Sequence, residues 1–259
     1  MNPSITPPSV LDSSAISGRY LFPQPRRLDN PWVVSTGHVE LACFRRIVTP
    51  EGYTMVHFHG NGEAVADYVP DIADEFAALG LNCLFVEYRQ YGGSSGQAQL
   101  VAMLVDGEAV LRAAGLAPQN TIVFGRSIGS LYAIELAHRL PDVAGLILES
   151  GIADPAERFL AYADLAAADL DEHGVRAEVG RYFDHRSKLA GYQGPLLVLH
   201  AERDRLIDIS HAERNLAWAG SRQKRLVRFP YGDHNSILAW NRAAYFAEVA
   251  AFVQGLGGR

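Results

Sequence analysis

The strongest constraint on the fold is a regular alternation of short apolar runs and amphipathic stretches, which continues from about residue 53 to the C-terminus. The apolar runs suit buried strands, and the stretches between them repeat apolar residues at helical spacing, as in the segment from Ala64 to Leu79. Parallel strands need a long crossover connection, usually a helix, so this order indicates βαβ units. We therefore predict an α/β fold with a mostly parallel sheet and helices on both of its faces.

Three segments depart from this alternation. Residues 38–47, HVELACFRRI, alternate polar and apolar side chains, which predicts an antiparallel, half-exposed strand. Residues 1–30 contain several prolines and little periodicity, which predicts an irregular arm. Residues 151–194 show helical spacing but no strand pattern, and they are too long for a simple connection. We expect them to form a small helical cap, inserted in a single domain that spans residues 1–259.

The composition argues against several classes of protein. A chain of 259 residues can bury a large core without disulfides, so we expect Cys43 and Cys83 to be reduced core thiols. The net charge is -6, and no stretch interleaves basic with aromatic residues, which argues against nucleic-acid binding. The first residues lack a basic region followed by an apolar one, and no run of 18 apolar residues occurs. We expect a cytoplasmic protein without a membrane anchor, in an oligomeric state that the sequence does not set.

One motif points to chemistry. Residues 123–132, VFGRSIGSLY, place Ser127 in a G-x-S-x-G pattern, after a strand pattern and at the start of a helix pattern. That context is typical of a nucleophile elbow, a turn so tight that small residues are needed on either side of the serine. Ser127 is the candidate nucleophile, and the alternative is a structural serine in a tight turn. Ser130 falls inside the helix and is a weaker candidate.

A serine nucleophile needs a base, and the base needs an acid to orient it. In elbow folds the acid precedes the histidine along the chain. Asp204 directly follows the strand pattern PLLVLHAERD, and His234 lies in a loop after the last strand pattern, KRLVRFP. We predict these two residues as acid and base. Asp208 is the rival acid, although its position also suits capping of the helix that begins near Ser210.

Two backbone amides are candidates for an oxyanion hole. The amide of Ile128 lies at a helix N-terminus, where the helix dipole favours negative charge. The second candidate is the amide of Asn61, in the loop HGNGEA that follows an earlier strand. His57 and His59 precede this loop with a spacing that suits metal ligands, but no third ligand of matching character accompanies them. We expect no metal and no cofactor, with His59 bracing the loop by hydrogen bonds.

Five segments, taken in order, resemble those of α/β-hydrolase fold serine hydrolases: HFHGNGE, EYRQYGGSSG, GRSIG, LHAERDRLID and YGDHN. Within that fold they are most similar to the branch of the ABHD17-type depalmitoylases and BEM46-like proteins. The resemblance extends from about residue 53 to the C-terminus. It implies a sheet of about eight strands whose second strand is antiparallel. It also implies a catalytic triad of Ser127, Asp204 and His234.

The same resemblance assigns the oxyanion positions to Asn61 and Ile128 and places the glycine-rich segment EYRQYGGSSG at the carboxyl end of a central strand. There we expect Arg89 to form a structural ion pair. Gln90 stands where that branch usually has glycine.

These residues together predict a carboxylesterase-like serine hydrolase that takes a small-molecule acyl substrate and forms an acyl-enzyme on Ser127. A thioesterase, amidase or peptidase would use the same triad, and a non-catalytic ligand-binding member of the fold would have no need of it. The acyl-chain length and the leaving group stay open. Aromatic residues of the cap, Phe159, Tyr162 and Phe183 among them, are candidates for lining an acyl pocket.

Overall fold

The structure, a computed structural model, describes residues 9–257 of the chain. Residues 1–8 of the predicted arm, and the expectation of no signal peptide, therefore lie outside the described residues. The remainder of the arm contains two short helical turns, Val10–Asp12 and α1 (Ser17–Tyr20). Leu11 and Ile16 are fully buried in the main core, so this part of the arm is packed against the rest of the protein.

One sheet of eight strands runs through the described part of the chain. The strands are β1 (Trp32–Ser35), β2 (Glu40–Arg46), β3 (Thr54–Phe58), β4 (Asn82–Val86), β5 (Thr121–Arg126), β6 (Gly145–Glu149), β7 (Leu196–Ala201) and β8 (Lys224–Phe229). Their order in the sheet is β1-β2-β4-β3-β5-β6-β7-β8. Strand β2 is antiparallel to both of its neighbours, and all later pairs are parallel. The predicted α/β fold with an antiparallel second strand is confirmed.

Helices cover both faces of the sheet. The remaining helices are α2 (Asp71–Ala78), α3 (Asp106–Ala114), α4 (Gly129–Arg139), α5 (Pro155–Leu160), α6 (Glu172–Tyr182), α7 (His185–Gly191), α8 (Ile209–Trp218) and α9 (Ile237–Leu256). Side chains alternate along each strand, so β5 sends Val123 into a core with α4 and Phe124 into a core with α2 and α9. Residues 151–194 contain α5, α6 and α7.

The structure corrects two expectations about local elements. The predicted helix from Ala64 to Leu79 is wrong as one unit, because it is split into a 3-10 turn, Val65–Tyr68, and α2, which begins after Pro70. Proline disfavours helical geometry in the residue before it, and Val69 is accordingly extended. Strand β1, with four residues, was not predicted. It pairs only with β2 at the edge of the sheet.

Candidate active site

Ser127 lies in the sharp turn between β5 and α4. Its φ of 52° is in the left-handed region, which only glycine adopts without strain. The Ser127 amide donates to the Glu149 carbonyl at 2.8 Å, which continues the pairing of β5 with β6 past the end of the strand. The turn is therefore held in a strained conformation by the sheet on one side and by the helix on the other.

The two glycines of the motif are needed because three elements approach closely at this turn. A Cβ atom on Gly125 would lie 2.6 Å from the Cβ of Ala133, inside α4. A Cβ atom on Gly129 would collide with the carbonyl group of Phe58, at the end of β3. The motif therefore packs the first turn of α4 directly against β5 and β3, and it brings the loop after β3 next to Ser127.

The structure brings Ser127, His234 and Asp204 into one hydrogen-bonded chain. The Nε2 atom of His234 lies 2.9 Å from the Oγ atom of Ser127, and its Nδ1 atom lies 2.7 Å from Oδ2 of Asp204. All three residues are buried, at 4–6% exposure. The other carboxylate oxygen of Asp204 accepts the amides of Leu206 at 2.9 Å and Ile207 at 2.8 Å, which fixes the direction of the carboxylate.

The surroundings of Asp204 favour its charged form. Burial alone would raise its pKa, but the hydrogen bond and charge of His234 and the amide of Ile207 outweigh burial, so the pKa lies below its ordinary value. His200 lies 3.5 Å from the same carboxylate, and its Nε2 donates to the carbonyl of Ile207 at 2.8 Å. Burial lowers the pKa of His200, which favours the neutral form of this second imidazole beside Asp204.

The rival candidates have other partners. Asp208 is exposed and accepts the amide of Ser210 at 3.0 Å, so it caps α8. Asp233 accepts the amides of Asn235 and Ser236, both at 3.1 Å, just before α9. Ser130 is fully buried and donates to the Ser127 carbonyl at 2.6 Å. Within residues 9–257, none of these three side chains forms a hydrogen bond or ion pair with the imidazole of His234.

The two candidate oxyanion donors lie in different loops: Ile128 follows Ser127 in the turn, and Asn61 lies in the loop after β3. Ile128 occupies the position before α4, and neither amide has a hydrogen-bond acceptor in the described part of the chain. The side chain of Asn61, by contrast, is fully engaged with the N-terminal arm. Its Nδ2 atom donates to the Tyr20 carbonyl at 2.5 Å, and its Oδ1 atom accepts the Phe22 amide at 2.9 Å and the Tyr91 hydroxyl at 3.0 Å.

His59 braces the loop that carries Asn61. Its Nε2 atom lies 2.7 Å from Oε1 of Glu87 and its Nδ1 atom lies 2.8 Å from the Gly60 carbonyl, so both ring nitrogens face acceptors. Burial opposes protonation, but Glu87 outweighs it and raises the pKa of His59, in keeping with an imidazolium that donates twice. His57 packs instead among aromatic rings, and burial lowers its pKa. Across residues 9–257 no cluster of three potential metal ligands is formed.

Two further expectations concern residues around the site. Arg89 forms the predicted ion pair, with Nε and Nη2 at 2.8 and 2.7 Å from the two oxygens of Asp106. Gln90 has a φ of 71°, a left-handed geometry that favours glycine. In the cap, Phe159 and Phe183 are buried and pack edge to face at 5.7 Å, whereas Tyr162 is 38% exposed. Phe159 and Phe183 thus belong to the same hydrophobic core as α4 and the N-terminal arm.

Sequence reasoning missed a buried charge network beside the triad. The guanidinium of Arg126 pairs with Oε1 of Glu63 at 2.9 Å and with Oε1 of Glu149 at 3.2 Å, and it donates to the His234 carbonyl at 3.0 Å. Burial works against the charge of Arg126, but Tyr68 and these acids outweigh it and raise its pKa. A signal was available, because an arginine that ends an apolar central strand must be buried and paired.

Comparison with known proteins places the chain in a family. The Hydrolase_4 family model, described as serine aminopeptidase S33, matches residues 50–188, more than half of the chain. Human alpha/beta hydrolase domain-containing protein 17B is 27% identical over 176 residues, which cover 66% of this chain and 57% of that protein. Uncharacterized protein YfhR of Escherichia coli is 24% identical over 188 residues, covering 70% of this chain and 62% of that protein. The chain thus spans little more than half the length of these relatives.

Solved structures share the fold at low sequence identity. The esterase Pf2001 of Pyrococcus furiosus superposes with a TM-score of 0.71 at 16% identity, over 91% of this chain and 100% of that one. Mouse alpha/beta hydrolase domain-containing protein 10 gives 0.70 at 14% identity, over 88% and 99%. Among residues 9–257, no helix combines the length and apolar character needed to cross a bilayer. The chain belongs to the Hydrolase_4 (serine aminopeptidase S33) family of α/β hydrolases and is related to its ABHD17-like branch.

Proposed function

We propose that the protein is a serine hydrolase that cleaves carboxylic esters or related small-molecule acyl compounds through an acyl-enzyme on Ser127. The observation that carries this proposal is the chain of two short contacts, 2.9 Å from Ser127 to His234 and 2.7 Å from His234 to Asp204. These distances lie within the range for proton transfer between a nucleophile and its base.

The first half of the reaction forms the acyl-enzyme. Oγ of Ser127 attacks the acyl carbon while its proton moves to Nε2 of His234. This transfer requires the tautomer with hydrogen on Nδ1, which the charged Asp204 favours because a carboxylate can only accept a hydrogen bond. His234 then delivers the proton to the leaving group as the bond between the acyl carbon and that group breaks.

The second half releases the acid. Water adds to the acyl carbon and gives a proton to Nε2 of His234, and the bond to Oγ of Ser127 breaks as that proton returns to the serine. In both halves the carbonyl oxygen becomes negative. The amides of Ile128 and Asn61 are the proposed donors to this oxyanion, each contributing about 3 kcal/mol in sites of this kind. No cofactor takes part in either half.

The same groups would also cleave thioesters or amides, and a ligand-binding protein without activity would have no need for their alignment. The test is therefore hydrolysis across a graded panel of p-nitrophenyl esters, acyl thioesters and aminoacyl amides. We expect turnover of at least one class by the wild type and its loss in Ser127→Ala, with an unchanged circular dichroism spectrum.

Ser130→Ala is the matched control, because this serine lies three residues further on and, within residues 9–257, its hydroxyl bonds only to backbone groups. Its folded fraction should keep its activity. Turnover that persists in Ser127→Ala, or a folded wild type that cleaves nothing in the panel, would contradict the proposal.

A further inference from the structure

Arg126 occupies the variable position directly before Ser127 in the elbow motif, and its side chain points to the opposite face of the sheet from α4. Alternation along β5 places it on the side of Phe124, where α2 and α9 pack. Its side chain is only 10% exposed. A guanidinium at such a place has five donors to satisfy, and the structure supplies acceptors from three different segments of the chain.

The first segment is the loop that carries the candidate base. Nη2 of Arg126 donates to the backbone carbonyl of His234 at 3.0 Å. This bond holds the residue whose imidazole must face Ser127, and it acts on the main chain of the loop just before α9. The imidazole itself is held by Asp204 from the other side.

The second segment is the loop that carries the candidate oxyanion donor. Nη1 of Arg126 pairs with Oε1 of Glu63, and the other oxygen of Glu63 accepts the amide of Gly60 at 2.6 Å and the hydroxyl of Tyr68 at 2.5 Å. Gly60 also packs directly on the guanidinium, since a Cβ atom there would lie 2.5 Å from Nη1. The residue after Gly60 is Asn61.

The third segment anchors the guanidinium itself. Nε of Arg126 pairs with Oε1 of Glu149, the residue opposite Arg126 in the register of β5 and β6. The other oxygen of Glu149 accepts the hydroxyl of Tyr245, from α9. Strand β6 and helix α9 thus hold the Nε side of the guanidinium, which fixes the directions of its two terminal nitrogens.

We propose that Arg126 is a positioning residue that sets the His234 loop and the Gly60–Asn61 loop relative to Ser127. This inference rests on the proposed function. Within residues 9–257, Arg126 forms no hydrogen bond to the Ser127 hydroxyl or to the His234 imidazole, and it acts through the His234 carbonyl and Glu63. A displacement of about 1 Å at a reacting group costs up to about 100-fold in rate. The loss of the bonds from Arg126 to the two loops should therefore appear mainly as a lower kcat.

Lysine is not an adequate substitute, because one ammonium cannot reach Glu63, Glu149 and the His234 carbonyl in the planar arrangement that a guanidinium allows. We expect Arg126→Lys to lower kcat about tenfold and Arg126→Met about 100-fold, with KM within about twofold of wild type in both. Assays use the panel substrate that the wild type cleaves best, at a temperature where circular dichroism shows each variant folded.

Arg242→Met is the matched control. Arg126 and Arg242 line one cavity, and Arg242 also pairs with two acids, Asp71 and Glu75. Within residues 9–257 it forms no hydrogen bond or ion pair with either loop. It should lose stability without a change in kcat. If Arg126→Met does not fold, the positioning role is tested instead with Glu63→Ala. This variant frees the Gly60 amide while Arg126 stays bound to Glu149 and to the His234 carbonyl. Its kcat should fall about tenfold at unchanged KM.

The outcomes separate this inference from the proposed function. A wild type that is folded and inactive overturns both. An active wild type whose Arg126→Lys and Glu63→Ala variants keep kcat within about twofold overturns only the positioning role. An equal fall of kcat in Arg242→Met would also overturn it, because the effect would then follow from the loss of any arginine ion pair near this cavity.

Discussion

Replacement of Asp204 by asparagine isolates the effect of one charge at the candidate site. Oδ1 of Asp204 accepts two backbone amides, and Oδ2 lies 2.7 Å from Nδ1 of His234. An asparagine keeps these hydrogen bonds only if its side-chain carbonyl oxygen faces the amides of Leu206 and Ile207, because an NH₂ group cannot accept from them. The NH₂ group must then face His234.

The consequence reaches Ser127 through the imidazole. Facing an NH₂ donor, Nδ1 of His234 becomes an acceptor, and the ring hydrogen moves to Nε2, which lies 2.9 Å from Oγ of Ser127. A nitrogen that already carries hydrogen cannot take the proton of the serine. The loss of the correct tautomer costs about 10⁴-fold in kcat in related triads, or about 5 kcal/mol of barrier.

The assay compares kcat for Asp204→Asn and Asp208→Asn on the best panel substrate, with folding checked by thermal unfolding. Asp208→Asn is the control because Asp208 caps α8, and asparagine caps a helix about as well as aspartate. It should keep wild-type kcat. The reasoning would be refuted by an Asp204→Asn variant that keeps kcat within about tenfold of wild type, or by a greater loss in Asp208→Asn.

Three further predictions concern stability and the arm. Gly129→Ala should lower the free energy of unfolding by about 1–3 kcal/mol or more, because the added Cβ meets the backbone of Phe58. In the control Gly180→Ala, in α6, the added Cβ meets nothing within 4 Å, so the free energy of unfolding should rise by up to about 1 kcal/mol. Urea unfolding of the two variants measures both changes. Because folding lowers the pKa of Asp204, its charge stabilises the fold above the unfolded pKa of about 4 and this contribution is lost as the pH falls through the folded value. The Tm difference between wild type and Asp204→Asn should therefore narrow as the pH falls below about 4, and a constant difference would contradict this. Asn61→Ala keeps the backbone amide of residue 61, but it removes the donor to the Tyr20 carbonyl and one of the two acceptors of the Phe22 amide. Proteolysis within residues 20–30 should therefore accelerate while kcat falls less than about tenfold, and equal proteolysis of the two proteins would contradict the role of this side chain.

The parts of the fold that the sequence predicts are those encoded by local periodicity. Strands β3 to β7 appear as apolar runs because both faces of a central parallel strand are buried, and β2 appears as an alternating strand because it is partly exposed. The four residues of β1 are too few to show a period, and only pairing with β2 makes them a strand. In residues 64–79 the helical period is real, but Pro70 overrides it.

The candidate site likewise has a part that local sequence patterns predict and a part that depends on tertiary packing. Ser127, Asp204 and His234 each follow a strand pattern, so their convergence at the carboxyl edge of the sheet could be inferred without coordinates. The grouping of Glu63, Glu149 and the His234 loop around Arg126 could not, because it depends on how side chains from four segments meet. The sequence signals only that Arg126 must find partners.

The most direct test of the central claim is labelling with a fluorophosphonate probe, followed by tandem mass spectrometry of the modified peptide. The account predicts one adduct per chain, on Ser127, and no adduct in Ser127→Ala. An adduct on Ser130 or any other residue, or a folded wild-type protein that takes up no probe, would contradict it.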